Sequence, residues 1–119
     1  DPGCPATSYP RYKYFFDRRT ENEYHQTYGA TWSWLNAAIK ATEKMVKKSE
    51  AGKVKIPVLL FQAETDSLVR NDRQMEFASK AENVNVVMCP YAHHEIFNSP
   101  DAVANAYWVT VFDFLDGLL

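Results

Sequence analysis

An α/β fold with parallel strands is what this sequence predicts, and three observations predict it. Ile56-Pro57-Val58-Leu59-Leu60-Phe61 is a short apolar run rich in strand formers, ended by the polar Gln62-Ala63-Glu64-Thr65-Asp66. Val84-Asn85-Val86-Val87-Met88-Cys89 is a second such run, ended by Pro90. Between them, Asp72 to Ala81 carries Met75, Phe77 and Ala78 as an apolar side and reads as a helix. A strand–helix–strand unit of this length closes most easily as a right-handed parallel crossover. Both strands then finish on the same sheet edge. Asp66 follows the first and His94 follows the second, so the topology brings them together. A carboxylate that can hold an imidazole by its Nδ1 proton is two thirds of a nucleophile–base–acid triad.

The remaining elements follow in chain order. Asp1 to Tyr9 is an irregular lead-in rich in Pro and Gly. Pro10 suits the first turn of a helix, with Ser8 as its cap. Arg11 to Glu23 reads as that helix, with Tyr12, Phe15, Phe16 and Arg19 giving it an aromatic face. Tyr24 to Gly29 is polar and reads as a turn. Thr31 caps a longer helix, Trp32 to about Lys48, whose stripe is Trp32, Leu35, Ala38, Ile39, Thr42, Met45 and Val46. These aromatic and apolar faces read as packing surfaces, with an apolar wall over a substrate pocket as the alternative. Ser49 to Lys53 is a charged linker in which Gly52 marks a helix stop. Pro57 fits the start of the first strand, where a missing N–H costs little. Ser99 and Pro100 suit the cap and first position of a last helix with the stripe Val103, Tyr107, Val111, Phe114, Leu115 and Leu118.

Length and charge narrow the classes. A chain of 119 residues suffices for one modest domain. Its net charge of −2, without a basic stripe, gives no support to nucleic-acid binding. No apolar run is long enough to span a bilayer and the N-terminus is no signal peptide, so a cytoplasmic or membrane-peripheral location is expected rather than secretion. Cys4 and Cys89 match no metal or redox spacing.

The element order is awkward for a complete protein. Two parallel strands are few, since parallel sheets normally have several strands covered on both faces. They leave unpaired edges and a core too small for the apolar stripes. The chain therefore reads as the C-terminal portion of a longer α/β protein. Its partner is expected to be the missing N-terminal portion or a second copy.

Three patches carry a resemblance to a known family. The first is Ser8-Tyr9-Pro10-Arg11-Tyr12 with Tyr28-Gly29-Ala30-Thr31-Trp32-Ser33-Trp34-Leu35. The second is Ile56 to Val69, and the third is Tyr91-Ala92-His93-His94-Glu95-Ile96 followed by a helix. Together they resemble the C-terminal part of an α/β-hydrolase of the lysophospholipase and monoacylglycerol-lipase-like, serine aminopeptidase S33-type, family. The resemblance implies that residues 1–50 end a helical cap. Residues 51–119 would then be the last strand–helix–strand–helix of an incomplete core. It matches Asp66 to the triad acid, with Glu64 as a rival, and His94 to the base, with His93 as the other candidate. It implies hydrolysis of a lipid-like ester without metal or organic cofactor. A proline-iminopeptidase-type peptidase and a non-catalytic α/β binding or assembly module are the alternatives.

One feature departs from the family. The Gly-x-Ser-x-Gly elbow that holds the nucleophile is absent: Ser8, Ser33, Ser49, Ser67, Ser79 and Ser99 all lack the flanking glycines. In α/β-hydrolases the order is serine, acid, histidine, so a C-terminal piece keeps the last two and is expected to be inactive alone.

Overall fold

The computed structural model describes residues 4–27 and 29–119. Asp1, Pro2 and Gly3 of the expected lead-in and Tyr28 of the cap-like patch lie outside them. Helix α1 spans Tyr9–Thr20, α2 Trp32–Met45, α3 Lys48–Ala51, α4 Asn71–Ala78 and α5 Asp101–Asp116. Strands β1 (Val58–Ala63) and β2 (Val84–Cys89) pair in parallel with Val58 opposite Val84 and Ala63 opposite Cys89. The fold is thus mixed α/β around a two-stranded parallel sheet, as part of an α/β-hydrolase fold would be.

Local chemistry sets the element ends. Helix α1 starts two residues earlier than the periodicity predicts, with Ser8 in the cap position and Pro10 in the first turn. The Ser8 carbonyl, rather than its hydroxyl, takes the first helical bond, from Tyr12 N at 3.0 Å. The helix also ends earlier, because Asn22 turns extended and its side chain caps Tyr24 N in a 3-10 turn over Glu23–His25. Thr31 caps α2 as expected, its Oγ1 accepting from Trp34 N at 3.2 Å.

The expected linker after α2 is instead helical. Lys47 breaks to an extended backbone and its carbonyl accepts from both Glu50 N and Ala51 N, starting α3. Gly52 ends α3, as the sequence suggests, and does so with a right-handed φ of −67°. Space explains the glycine: a Cβ there would lie 2.8 Å from the Lys48 carbonyl oxygen. Ala51 beside it is 1% exposed.

Strand β1 begins at Val58, not Ile56, because pairing starts where Val58 N donates to Asn83 O. Helix α4 is shorter than expected, and Ser79 leaves it by bonding its hydroxyl to the Glu76 carbonyl. Helix α5 starts at Asp101 with Pro100 as the cap residue. Ser99 is extended and buried, and its carbonyl is held by Arg11, so it does not serve as the cap. Arg11 also donates to Asp101 at 2.6 Å and so ties α1 to the start of α5.

The core lies under the C-terminal ends of the strands. Ala63, Cys89, Ala92 and Ile96 form it, with Phe61, Val103 and Tyr107 packed against them. The rings of Phe61 and Tyr107 meet at 4.5 Å between centroids, which seats α5 on the sheet. Burial raises the Cys89 thiol pKa, so it stays protonated as a small hydrophobe. This core is made mostly of small side chains. Only Ile96 among its buried members has the bulk that stabilises by roughly 1.5–3 kcal/mol on full burial. The stripe of α2 is left largely uncovered: Trp32 is 87% exposed, and Leu35, Ile39 and Met45 are exposed as well. On α5, Val103, Tyr107, Val111 and Phe114 are half-buried, while Trp108, Phe112 and Leu115 face outward, as does Leu118 just beyond the helix. An apolar groove of about 530 Å³ runs between α2, β1 and α4, lined in part by Ile39, Val46, Leu60, Val69 and Phe77. Among the described residues, no helix is long and apolar enough to cross a membrane.

Candidate active site

The parallel register puts the last residues of β1 and β2, Ala63 and Cys89, side by side. The two loops that leave them stay together. Glu64 N donates to Cys89 O and Thr65 N to Ala92 O, each at 3.1 Å. Asp66 therefore emerges one residue past a pairing point, and His94 two residues past its partner. The loop between β1 and α4 folds around Asp66 itself. One carboxylate oxygen, Oδ1, accepts from Leu68 N and Val69 N, both at 2.8 Å. The other, Oδ2, lies 2.9 Å from His94 Nδ1.

Two amides brace this loop from below, and sequence reading did not find them. Gln62 is buried, and its Nε2 donates to the Asn71 carbonyl at 2.9 Å and to Gln74 Oε1 at 3.1 Å. Asn71 returns its Nδ2 to the Ala63 carbonyl at 2.8 Å. The start of α4 is thereby locked to the end of β1, with the Asp66 loop fixed between them. An amide one place before the end of an apolar strand was the available signal.

Electrostatics suit a charged Asp66. Desolvation pushes the Asp66 carboxyl up, since its side chain is 5% exposed. The Val69 N–H, the His94 ring and the Leu68 N–H together outweigh that and hold it below its usual range. A carboxylate can only accept, so Nδ1 of His94 carries a proton, and in the neutral ring the lone pair is then on Nε2. The His94 side chain is 38% exposed, so the ring is partly open to solvent. A partly exposed imidazole oriented by a buried carboxylate has the geometry that a general base needs.

The rival residues are engaged elsewhere. His93 Nδ1 is 2.8 Å from the Cys4 carbonyl, facing the N-terminal segment. Glu64 Oε2 accepts from Tyr91 N at 2.7 Å and takes no part in the imidazole contact. Among the described residues, no serine hydroxyl hydrogen-bonds to His94. Also among them, no group of three or more His, Cys, Asp or Glu converges as metal ligands would.

Comparison with known proteins adds one positive finding. The sequence model of a family described as serine aminopeptidase, S33, matches residues 5–101, well over half of the chain. No curated protein matches it.

Proposed function

This chain belongs to the serine aminopeptidase S33 family of α/β-hydrolases, and we propose that within it the chain supplies the acid and the base of a serine hydrolase. Asp66 is the acid and His94 the base. The observation that carries this reading is the 2.9 Å contact between Asp66 Oδ2 and His94 Nδ1, with no hydrogen bond to the other ring nitrogen among the described residues. In the reaction, His94 Nε2 takes the hydroxyl proton of a serine as its oxygen bonds to the substrate carbonyl carbon. The same nitrogen then gives that proton to the leaving group as the scissile bond breaks, and an acyl-enzyme results. Water repeats the sequence and regenerates the serine. Asp66 keeps the ring in the Nδ1–H tautomer and stabilises the imidazolium.

The serine comes from a Gly-x-Ser-x-Gly strand–turn–helix on a longer polypeptide in this reading. The thin core, the uncovered α2 stripe and the groove beside β1 support it, because each is a surface that further strands and helices would cover. Residues 1–50 are then the end of a cap and 51–119 the end of the core. The substrate is a lipid-like carboxylic ester, of the lysophospholipid or monoacylglycerol kind, as the likeness of the three sequence patches implies. The description of the matched family favours a second reading, an aminopeptidase that uses the same pair. Parallel assays of the longer polypeptide on a monoacylglycerol and on an aminoacyl nitroanilide separate the two. Ester turnover well above amide turnover is expected, and the reverse order would replace the esterase with the peptidase.

A further inference from the structure

We propose that Glu64 is a positioning residue that aims the Asp66–His94 pair by strapping the histidine loop to the acid loop, an inference that rests on reading that pair as acid and base. The strap is the 2.7 Å bond from Tyr91 N to Glu64 Oε2, between residues 27 apart in the chain. It sits between the two backbone bonds that join the loops, Glu64 N to Cys89 O and Thr65 N to Ala92 O. Pro90 has no N–H, so Tyr91 offers the first backbone donor after the Cys89 carbonyl. Tyr91 also holds a left-handed φ of 59°, which is costly for a residue with a Cβ. Something must hold that turn, and a carboxylate on its N–H is a short, charge-assisted anchor. From the turn the chain has only Ala92 and His93 to cross before His94. A rotation at Tyr91 would therefore carry the imidazole off the Asp66 oxygen. Gln62 and Asn71 fix the acid loop, and Glu64 connects it to the other side.

The test reads the His94 tautomer rather than stability. The chain has three histidines, so ring-nitrogen labelling followed by nitrogen NMR, in solution or by magic-angle spinning, gives a sparse spectrum. In alkaline buffer the two ring nitrogens of a neutral imidazole differ widely in shift, and their values report the tautomer. Wild type is expected to show His94 in the Nδ1–H form. Asp66→Asn should switch it to the Nε2–H form. Glu64→Asp keeps the charge but is one methylene too short. It should move His94 at least halfway to an even tautomer mixture, with the His93 signals unchanged. Glu64→Gln keeps an oxygen at full reach and should restore the wild-type spectrum. If Glu64→Asp leaves His94 in the Nδ1–H form while Asp66→Asn switches it, the strap does not position the pair and the inference fails. It fails equally if Glu64→Asp alters His93 together with His94, because Glu64 would then be holding the fold of the loop. If Asp66→Asn itself changes nothing, the acid–base reading fails first and the inference falls with it.

Discussion

Replacing Asp66 by Asn tests the roles assigned to the pair with little disturbance to the fold. The Asn carbonyl oxygen can keep the bonds from Leu68 N and Val69 N, two of the three that the carboxylate accepts. Its amide nitrogen then faces His94 Nδ1, and an amide nitrogen only donates. The ring answers by moving its proton to Nε2, the atom that must be bare to act as base. The lost quantity is therefore the base itself together with the charge that stabilises the imidazolium. The equivalent change in a serine protease lowers turnover ~10⁴-fold, about 5.4 kcal/mol of barrier. The same order is expected here for hydrolysis of a short-chain nitrophenyl ester by the longer polypeptide that carries the nucleophile. Circular dichroism should show an unchanged fold. A loss below about tenfold, far short of the triad precedent, would refute the reasoning, since Asp66 could not then be orienting an essential base.

Further outcomes follow from the same geometry. In that polypeptide, His94→Ala should abolish ester turnover and His93→Ala should leave most of it, because His93 points to the Cys4 carbonyl; the opposite pattern would reverse the assignment. Gly52→Ala should lower the urea midpoint by the equivalent of roughly 1–3 kcal/mol, the range for overpacking, because its Cβ meets the Lys48 carbonyl oxygen. The lowered pKa of Asp66 means that its contribution to stability is complete above the ordinary carboxyl pKa and is lost as pH falls through the folded value. Urea midpoints should therefore fall on acidification less steeply in Asp66→Asn than in the parent chain. Sedimentation of the 119-residue chain should show concentration-dependent association, given the exposed aromatics of α2 and α5. A stable monomer at high concentration would count against the incomplete-sheet reading.

What the sequence disclosed here is whatever rests on pattern or topology. The apolar runs around Leu60 and Val86 were enough to place two strands, and parallel pairing follows from the helix between them. The meeting of Asp66 and His94 needs nothing more than that both follow strands ending on one edge. Thr31 marks its helix start by a contact three residues away. What stayed hidden depends on partners far along the chain or on single backbone choices. Glu64 looked like a second acid because nothing nearby shows that its oxygen goes to Tyr91. The left-handed turn at Tyr91 carries no Gly or Asn to announce it. Ser99 has the chemistry of a cap, but Arg11 holds its carbonyl and the helix starts one residue later. Gly52 reads as a helix stop, and the close approach to Lys48 that the position also requires is not visible in the sequence.

The central claim is that this chain holds the base and acid for a serine that it does not itself contain. Labelling with a fluorophosphonate, followed by mass mapping of the modified residue, tests it most directly. On the longer polypeptide, the label should fall on one serine outside residues 1–119 and should vanish in His94→Ala. The 119-residue chain alone should take up none. Labelling of any serine within residues 1–119, or labelling that survives His94→Ala undiminished, would contradict the account.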